Sequence, residues 1–252
     1  MYRGSREDAE MRWSSGLRLL AVLAVVGAGI GTRTAGGGEL EVLLEKVAGA
    51  YGGEKALARL VAFRETGTVR SKMRGVEGEL VRIYRHPGDL RVEISYPGME
   101  REVRVLNGRE GWRQGKPVSG PPFEAMVLQA ARLALPRNLL SAAGRIADLG
   151  TVRRDGKGLR ALSFSPGEGM SMRVEVDPDS GRILRSLARS ESGLEGMPGG
   201  IGFETVFEDF REVDGVRFPF LEQNFAMGRH TGETVLNRVE ILAAAPEGSF
   251  RP

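Results

Sequence analysis

The 252-residue chain contains no cysteine and only two histidines, His86 and His230. Disulfide frameworks, thiolate metal sites and cysteine nucleophiles are thereby excluded, and a multi-histidine metal centre could draw on those two alone. Lysine is scarce as well, with 5 Lys against 31 Arg. The longest apolar run, the thirteen residues from Leu19 to Gly31, is shorter than the ~20 residues a membrane-spanning helix needs. The motifs G-x-S-x-G, H-E-x-x-H and G-x-x-x-x-G-K-[ST] are absent. Both histidines sit in turn sequences, Arg85-His86-Pro87-Gly88 and Gly228-Arg229-His230-Thr231-Gly232, where a solvated bystander is the ordinary reading. Carboxylate neighbours such as Glu100/Glu102 and Glu208/Asp209 read as solvent-face strand charges. No cofactor is expected.

The formal net charge of +3 is unevenly placed. Residues 1–38 hold five Arg and three acids, which leaves 31 basic against 30 acidic residues in the remainder. A phosphate-binding face needs clustered basic charge, so no nucleic-acid partner is expected. The apolar run follows Arg12 and Arg18 and precedes a stretch of small residues, the pattern of a secretory signal peptide. The acidic opening Met1–Glu10 fits an n-region poorly and makes Met11 an alternative start. Residues 1–36 are therefore read as a signal peptide, the alternative being an uncleaved anchor. Residues 37–252 are read as a single domain, soluble in the periplasm after cleavage. Without cysteine there is no lipobox.

Glycine and proline are abundant, at 36 and 12 residues, and abundant turns indicate a β-rich chain. Glu39–Tyr51 is helical by period, with Leu40, Leu43, Leu44, Val47 and Tyr51 on one face. Gly52-Gly53 interrupts this helix, and Glu54–Phe63 resumes it. From Arg64 the period changes to two: Leu90, Val92, Ile94 and Tyr96 alternate with charged and polar residues, as do Val103 and Val105. Asn107-Gly108 and Asp214-Gly215 mark sharp hairpin turns. Pro121–Leu140 breaks the β pattern with a helix apolar round most of its circumference; Pro136 ends it, and Asn138–Ala143 reads as a further turn. Alternation then returns at Met170, Met172, Val174 and Val176, at Phe203, Thr205 and Phe207, and at Val216, Phe218 and Phe220. At Leu80, Val81, Ile83 and Tyr84 both strand faces are part apolar, so the inward one is not assigned. Gly193–Gly202 reads as a flexible loop. The sum is a mainly β (α+β) chain of about eleven antiparallel strands, too many to lie flat, with two helical segments to cover the apolar face of the curled sheet. A completely filled concavity would make a plain core, and an incompletely filled one a greasy cavity.

Several short segments, taken in order, resemble the LolA-like superfamily of periplasmic carriers, especially outer-membrane lipoprotein-sorting proteins. They are Tyr51-Gly52-Gly53 with Leu57, Phe63-Arg64-Glu65-Thr66-Gly67, Asn107-Gly108-Arg109-Glu110-Gly111-Trp112 and Val213-Asp214-Gly215-Val216-Arg217-Phe218-Pro219. The resemblance covers about Glu39–Phe250. It implies a half-open β-barrel whose concave apolar face is lidded by helices and holds acyl chains. It carries over no particular lid-locking arginine from among the 31. The expected wall positions are Leu90, Val92, Ile94, Tyr96, Val103, Val105, Met172 and Val174, and the expected lid positions are Met126, Val127 and Leu133. The function implied is a non-catalytic periplasmic carrier of lipid or lipoprotein acyl chains toward the outer membrane. Its partners would be an inner-membrane donor complex and an outer-membrane acceptor. The alternatives are a regulatory or interaction module with a filled core, and a hydrolase on the same scaffold.

Overall fold

Helical period governs the start of the ordered chain. In a computed structural model that describes residues 36–190 and 200–252, helix α1 (Gly36–Ala50) buries Leu43, Leu44 and Val47 along one stripe. The expected export segment through residue 35 and most of the loop Gly193–Gly202 lie outside the described residues. A short α2 (Glu54–Arg59) follows and buries Leu57. It ends earlier than the sequence suggests, because Ala62 and Phe63 already pair as strand residues.

The remainder is two antiparallel meanders. The first comprises β1 (Ala62–Ser71), β2 (Val76–Arg85), β3 (Asp89–Ser95), β4 (Glu102–Asn107), β5 (Glu110–Arg113) and β6 (Lys116–Val118). Helices α3 (Pro121–Leu133) and α4 (Leu135–Ser141) follow, and then β7 (Ala147–Arg154), β8 (Lys157–Phe164), β9 (Met170–Val176), β10 (Ile183–Ser190), β11 (Ile201–Val213), β12 (Val216–Ala226) and β13 (Arg229–Leu242). Pairing of β1 with β13 joins the meanders into one open sheet of 13 strands, ordered β6-β5-β4-β3-β2-β1-β13-β12-β11-β10-β9-β8-β7. The sheet is a curved, half-open barrel with helices on its concave face. There are two more strands than the alternation indicates. The edge strands β6 and β7 pair without a clean apolar stripe, and β6 carries Pro117, a residue confined to sheet edges by its missing N–H. The helical insertion follows the sixth strand. The helix that the sequence ends at Pro136 already stops at Leu133, and Pro136 lies in the first turn of the following helix α4, which covers the further turn expected at Asn138–Ala143 as far as Ser141.

The glycine motifs fix how the helices seat on the sheet. Gly52 has φ of 105°, and a Cβ built there would lie 1.9 Å from the carbonyl oxygen of Gly215 in the β11–β12 turn. Beside it, the Tyr51 hydroxyl accepts the Ile183 N–H at 3.1 Å, and Arg217 donates to the Ala50 carbonyl at 3.0 Å. The segments Tyr51-Gly52-Gly53 and Asp214-Gly215-Val216-Arg217, distant in sequence, are thus one contact in space. Gly67 sits at the bulge between β1 and β13, where a Cβ would lie 2.1 Å from the Val235 carbonyl oxygen.

Candidate functional site

The pairing register sorts each strand into an inward and an outward face, because residues paired across strands share a face. The inward rows run Phe63–Tyr84–Leu90–Leu106 and, one step along, Glu65–Arg82–Val92–Arg104. On the other meander the inward face carries Leu162, Val174, Ser186, Thr205 and Asn224 in one row, and Phe207 pairs with Glu222. Thus the apolar concave face contains a charged centre. Each of these ionic groups is the charged member of an otherwise apolar inward stripe: Glu65 after Phe63, Arg82 between Leu80 and Tyr84, and Glu222 after Phe218 and Phe220.

Arg82 is 2% exposed and organises this centre. Its Nη1 and Nη2 donate to the Glu222 carboxylate at 2.9 and 3.2 Å, and its Nε stands 2.7 Å from Glu65 Oε2. From the helical side, Arg132 of α3 donates from Nη1 to Thr205 Oγ1 at 2.8 Å, Asn224 Oδ1 at 3.1 Å and Glu222 Oε2 at 3.4 Å. Burial opposes ionisation of Glu222, but the Arg132 and Arg82 guanidiniums outweigh it and hold its carboxyl below the ordinary range. Glu65 moves the other way. Burial and the neighbouring Glu222 charge raise its pKa, and Arg82 offsets this only in part. Burial also lowers the pKa of Arg132, against the pull of Glu222.

Two further bonds tie α3 to the sheet. The Ser190 hydroxyl of β10 donates to the Glu124 carboxylate, and Arg104 of β4 donates from Nη1 to Gln129 Oε1 at 3.1 Å. Polar side chains at 124, 129 and 132 therefore hold the helix along its length. Close approach at the other meander is permitted by Gly111, whose absent Cβ would lie 2.7 Å from Met126 Cε and 3.0 Å from Phe123.

Three voids border α3. At its C-terminal end, a small, partly open void of about 40 Å³ is lined by Leu57, Leu60, Arg132, Leu133, Ile183 and Phe218, among others. On one flank a cleft of about 390 Å³ has an apolar floor of Leu106, Val127, Ala130, Ala131 and Phe164, with His86, Asn138 and Arg145 among its polar lining. On the opposite flank a cleft of about 320 Å³ is lined by Arg104, Leu128, Arg132, Ala188, Phe203 and Phe225, with Asn224 and Thr231 nearby. Both clefts fall within the ~300–1,000 Å³ of small-molecule sites, and the central void does not. His86 faces its cleft with Nδ1 unpartnered, and burial with the nearby Arg137 charge lowers its pKa. Among the described residues, no group of three or more His, Asp or Glu side chains is placed to hold a metal ion.

The sequence-derived candidates divide among these places. Leu90, Val92, Ile94, Tyr96, Met126, Met172 and Val174 are buried in the main core, and none of them lines the three voids. Val127 lines the 390 Å³ cleft and Leu133 the central void. Val103 and Val105 belong to the opposite face from the other wall candidates. They pair with Glu93 and Arg91, whereas the inward residues of β4 are Arg104 and Leu106. Period-two alternation shows that residues share a face without showing which face it is, and on β4 the apolar valines take the outer one. There Val105 pairs with Trp112, and the neighbouring Arg91 and Asn107 hydrogen-bond the C-terminal segment at Ser249, Phe250 and Arg251.

The fold recurs in solved structures. An outer-membrane lipoprotein-sorting protein domain from Vibrio parahaemolyticus matches 84% of this chain and 95% of its own, with a TM-score of 0.50 and 12% identity. A LolA superfamily protein from Nitrosomonas europaea matches 84% of this chain and 96% of its own, with a TM-score of 0.54 and 14% identity. The chain has the LolA-like fold. A DUF1329 family protein from Desulfovibrio piger shares this LolA-like architecture over 84% of the chain and 97% of its own, with a TM-score of 0.51 and 9% identity. No protein-family model matches the chain, and neither does any curated protein. The likeness is one of fold.

Proposed function

We propose that the chain is a non-catalytic carrier, exported to the periplasm by residues 1–36, whose single domain shelters an acyl chain of a lipid or lipoprotein on its way to the outer membrane. The observation that carries the reading is that α3 borders all three voids. A helix held by three side-chain anchors divides the concavity into two clefts and a nearly closed centre. Displacement of that helix would merge them into one trough, apolar along much of its wall and charged at its centre. In the anchored state the centre holds a void of only about 40 Å³, so this geometry corresponds to a closed carrier. Binding would draw on apolar burial at roughly 25 cal/mol per Å² and would be largely non-directional. An inner-membrane donor and an outer-membrane acceptor would then supply direction.

The relatives' descriptions as lipoprotein-sorting and LolA superfamily proteins support the carrier reading. A second reading, a regulatory or interaction module with a filled core, is favoured by the 40 Å³ centre. Native mass spectrometry of gently purified protein, followed by displacement of a fluorescent fatty acid, separates the two. Co-purifying lipid and saturable displacement support the carrier. Absence of both, with an unchanged fold, leaves the module.

A further inference from the structure

Beyond any cargo, we propose that one rim of the sheet docks on an anionic phospholipid bilayer. Seven large apolar side chains are exposed among the described residues, and three of them are methionines at hairpin tips: Met73 at 82%, Met99 at 49% and Met227 at 55%. Their turns, β1–β2, β3–β4 and β12–β13, are neighbours at the same end of the sheet. Ser71 pairs with both Val76 and Gly232, Glu79 pairs with Ser95, and the Lys72 N–H donates to the Thr231 carbonyl at 2.9 Å. Adjacent hairpins are offset by two strand spacings, so the three tips stand roughly 10 Å apart along the rim. Single exposed apolar residues are ordinary, but three at consecutive turn tips form a ridge. At the other end, the turns at 86–88, 107–109 and 214–215 expose no large apolar side chain.

The charge of the rim agrees with its apolar tips. Of the seven basic residues along it, Arg70, Arg74, Arg101 and Arg113 lie within ion-pair distance of Glu77, Glu93, Glu102 or Glu233, whereas the exposed Lys72, Lys116 and Arg229 are in no ion pair shown among the described residues. The β5–β6 turn belongs to the same rim, since Gln114 there accepts from the Val103 N–H and donates to the Arg101 carbonyl. These three cations adjoin the methionine turns: Lys72 is next to Met73, Arg229 is two residues from Met227, and Lys116 follows the β5–β6 turn. Unbranched, polarisable methionine inserts readily into irregular apolar surroundings, and cations near an anionic leaflet are attracted to its surface. The 320 Å³ cleft is lined by Phe225, Ala226 and Thr231, which flank the Met227 turn, so that cleft opens beside the docking rim.

The absence of cysteine makes the test direct. Met73→Cys, Met99→Cys and Met227→Cys each give the full chain one site for an environment-sensitive thiol dye, and Arg109→Cys at the opposite rim gives the control. With phosphatidylglycerol vesicles, the three tip labels should shift to the blue and gain intensity, and the Arg109 label should not. Phosphatidylcholine vesicles should give little response. The combined change Lys72→Gln, Lys116→Gln and Arg229→Gln should weaken binding about a hundredfold with an unaltered unfolding curve, because all three side chains are exposed. Silence at every tip, an equal response at Arg109, or equal responses to both lipids would overturn the proposal. The last outcome would leave no part for the basic residues. Tip insertion without fatty-acid displacement would count against the carrier reading only, and displacement without tip insertion against the rim only.

Discussion

Arg132 of α3 and Arg82 of β2 converge on one carboxylate, that of Glu222: Arg82 Nη1 is 2.9 Å and Arg132 Nη1 3.4 Å from its Oε2. At the C-terminal end of α3, helix and sheet are therefore fastened through one shared anion, with Thr205 and Asn224 of the sheet as further acceptors for Arg132. Such a fastening is strong when intact and sensitive to either partner, because removal of one cation leaves a buried anion less compensated.

The first prediction concerns that fastening. Arg132→Ala should destabilise the protein by about 1–3 kcal/mol and selectively increase amide exchange in α3. If the carrier reading holds, uptake of a fluorescent fatty acid should become faster. Arg132→Lys should restore only part of the protection, since a single ammonium does not reproduce the guanidinium's directed donors. Hydrogen exchange over Phe123–Leu133 is the measurement. Uniform loosening of the whole sheet would count against a local fastening.

Glu222 and Glu65 touch the same arginine and should respond oppositely to neutralisation. Glu222→Gln removes the carboxylate that both guanidiniums need, and should cost about 3–5 kcal/mol. Glu65→Gln keeps an acceptor beside Arg82 while removing a charge whose ionisation burial already disfavours. It should lie within about 1 kcal/mol of the parent. Urea unfolding of both variants at pH 7 tests the contrast.

The same pair gives a pH dependence of defined sign. Glu222 has a depressed folded pKa, so its contribution is complete above the unfolded carboxylate value, about 4.3, and is lost as pH falls through the folded value. Glu65 has a raised folded pKa, so its ionisation opposes folding above that value, and the opposition is relieved as pH falls toward the unfolded one. Between neutrality and the unfolded value, the parent should gain stability relative to Glu65→Gln, and at lower pH it should lose stability relative to Glu222→Gln. Unfolding free energies of the three proteins measured across pH 3–7, about the ordinary carboxylate range, provide the check.

Much of the architecture was legible because it rests on local periodicity and turn chemistry. Leu90, Val92 and Ile94 do share a buried face, Asn107-Gly108 and Asp214-Gly215 do reverse the chain, and α1 buries the stripe read from its spacing. The charged centre was legible only in part. Phe218 and Phe220 were read as one face, and one more step of two along the same strand reaches Glu222, but nothing local pairs it with Arg82 at a separation of 140 residues. The face of Val103 and Val105 was not legible, since alternation is symmetric and only the register with β3 and β5 breaks the tie. At Leu80, Val81, Ile83 and Tyr84, pairing resolves the ambiguity: Leu80 and Tyr84 turn inward with Arg82, while Val81 and Ile83 turn outward.

Neighbouring glycines in the Tyr51-Gly52-Gly53 segment should differ sharply in their tolerance of a methyl group. Both have positive φ, at 105° and 88°, so alanine is strained at either position. At Gly53 nothing lies within 4 Å of the added carbon, and Gly53→Ala should cost about 1–3 kcal/mol of backbone strain alone. At Gly52 the added carbon would lie 1.9 Å from the Gly215 backbone oxygen, which cannot swing aside like a side chain. Gly52→Ala should therefore lose clearly more stability than Gly53→Ala and should also perturb the β11–β12 turn. Chemical denaturation of the pair, with exchange at Gly215 and Val216, decides it.

The two clefts can be told apart by filling each in turn. Val127 is half-buried beside the apolar floor of the 390 Å³ cleft, and Ala226 is half-buried at the 320 Å³ cleft, where Arg104 and Arg132 make the lining more polar. Tryptophan at either position enlarges a side chain that borders open space, so Val127→Trp and Ala226→Trp should each alter stability by less than the ~1–3 kcal/mol cost of overpacking a closed core. An acyl chain gains most from a dry apolar floor, so Val127→Trp should weaken displacement of the fluorescent fatty acid by roughly tenfold, equivalent to about 1.4 kcal/mol. Ala226→Trp should leave it within about twofold. Reversal of that order would place the chain among the arginines. Equal loss in both variants would mean that α3 has moved and that a single trough spans the two flanks.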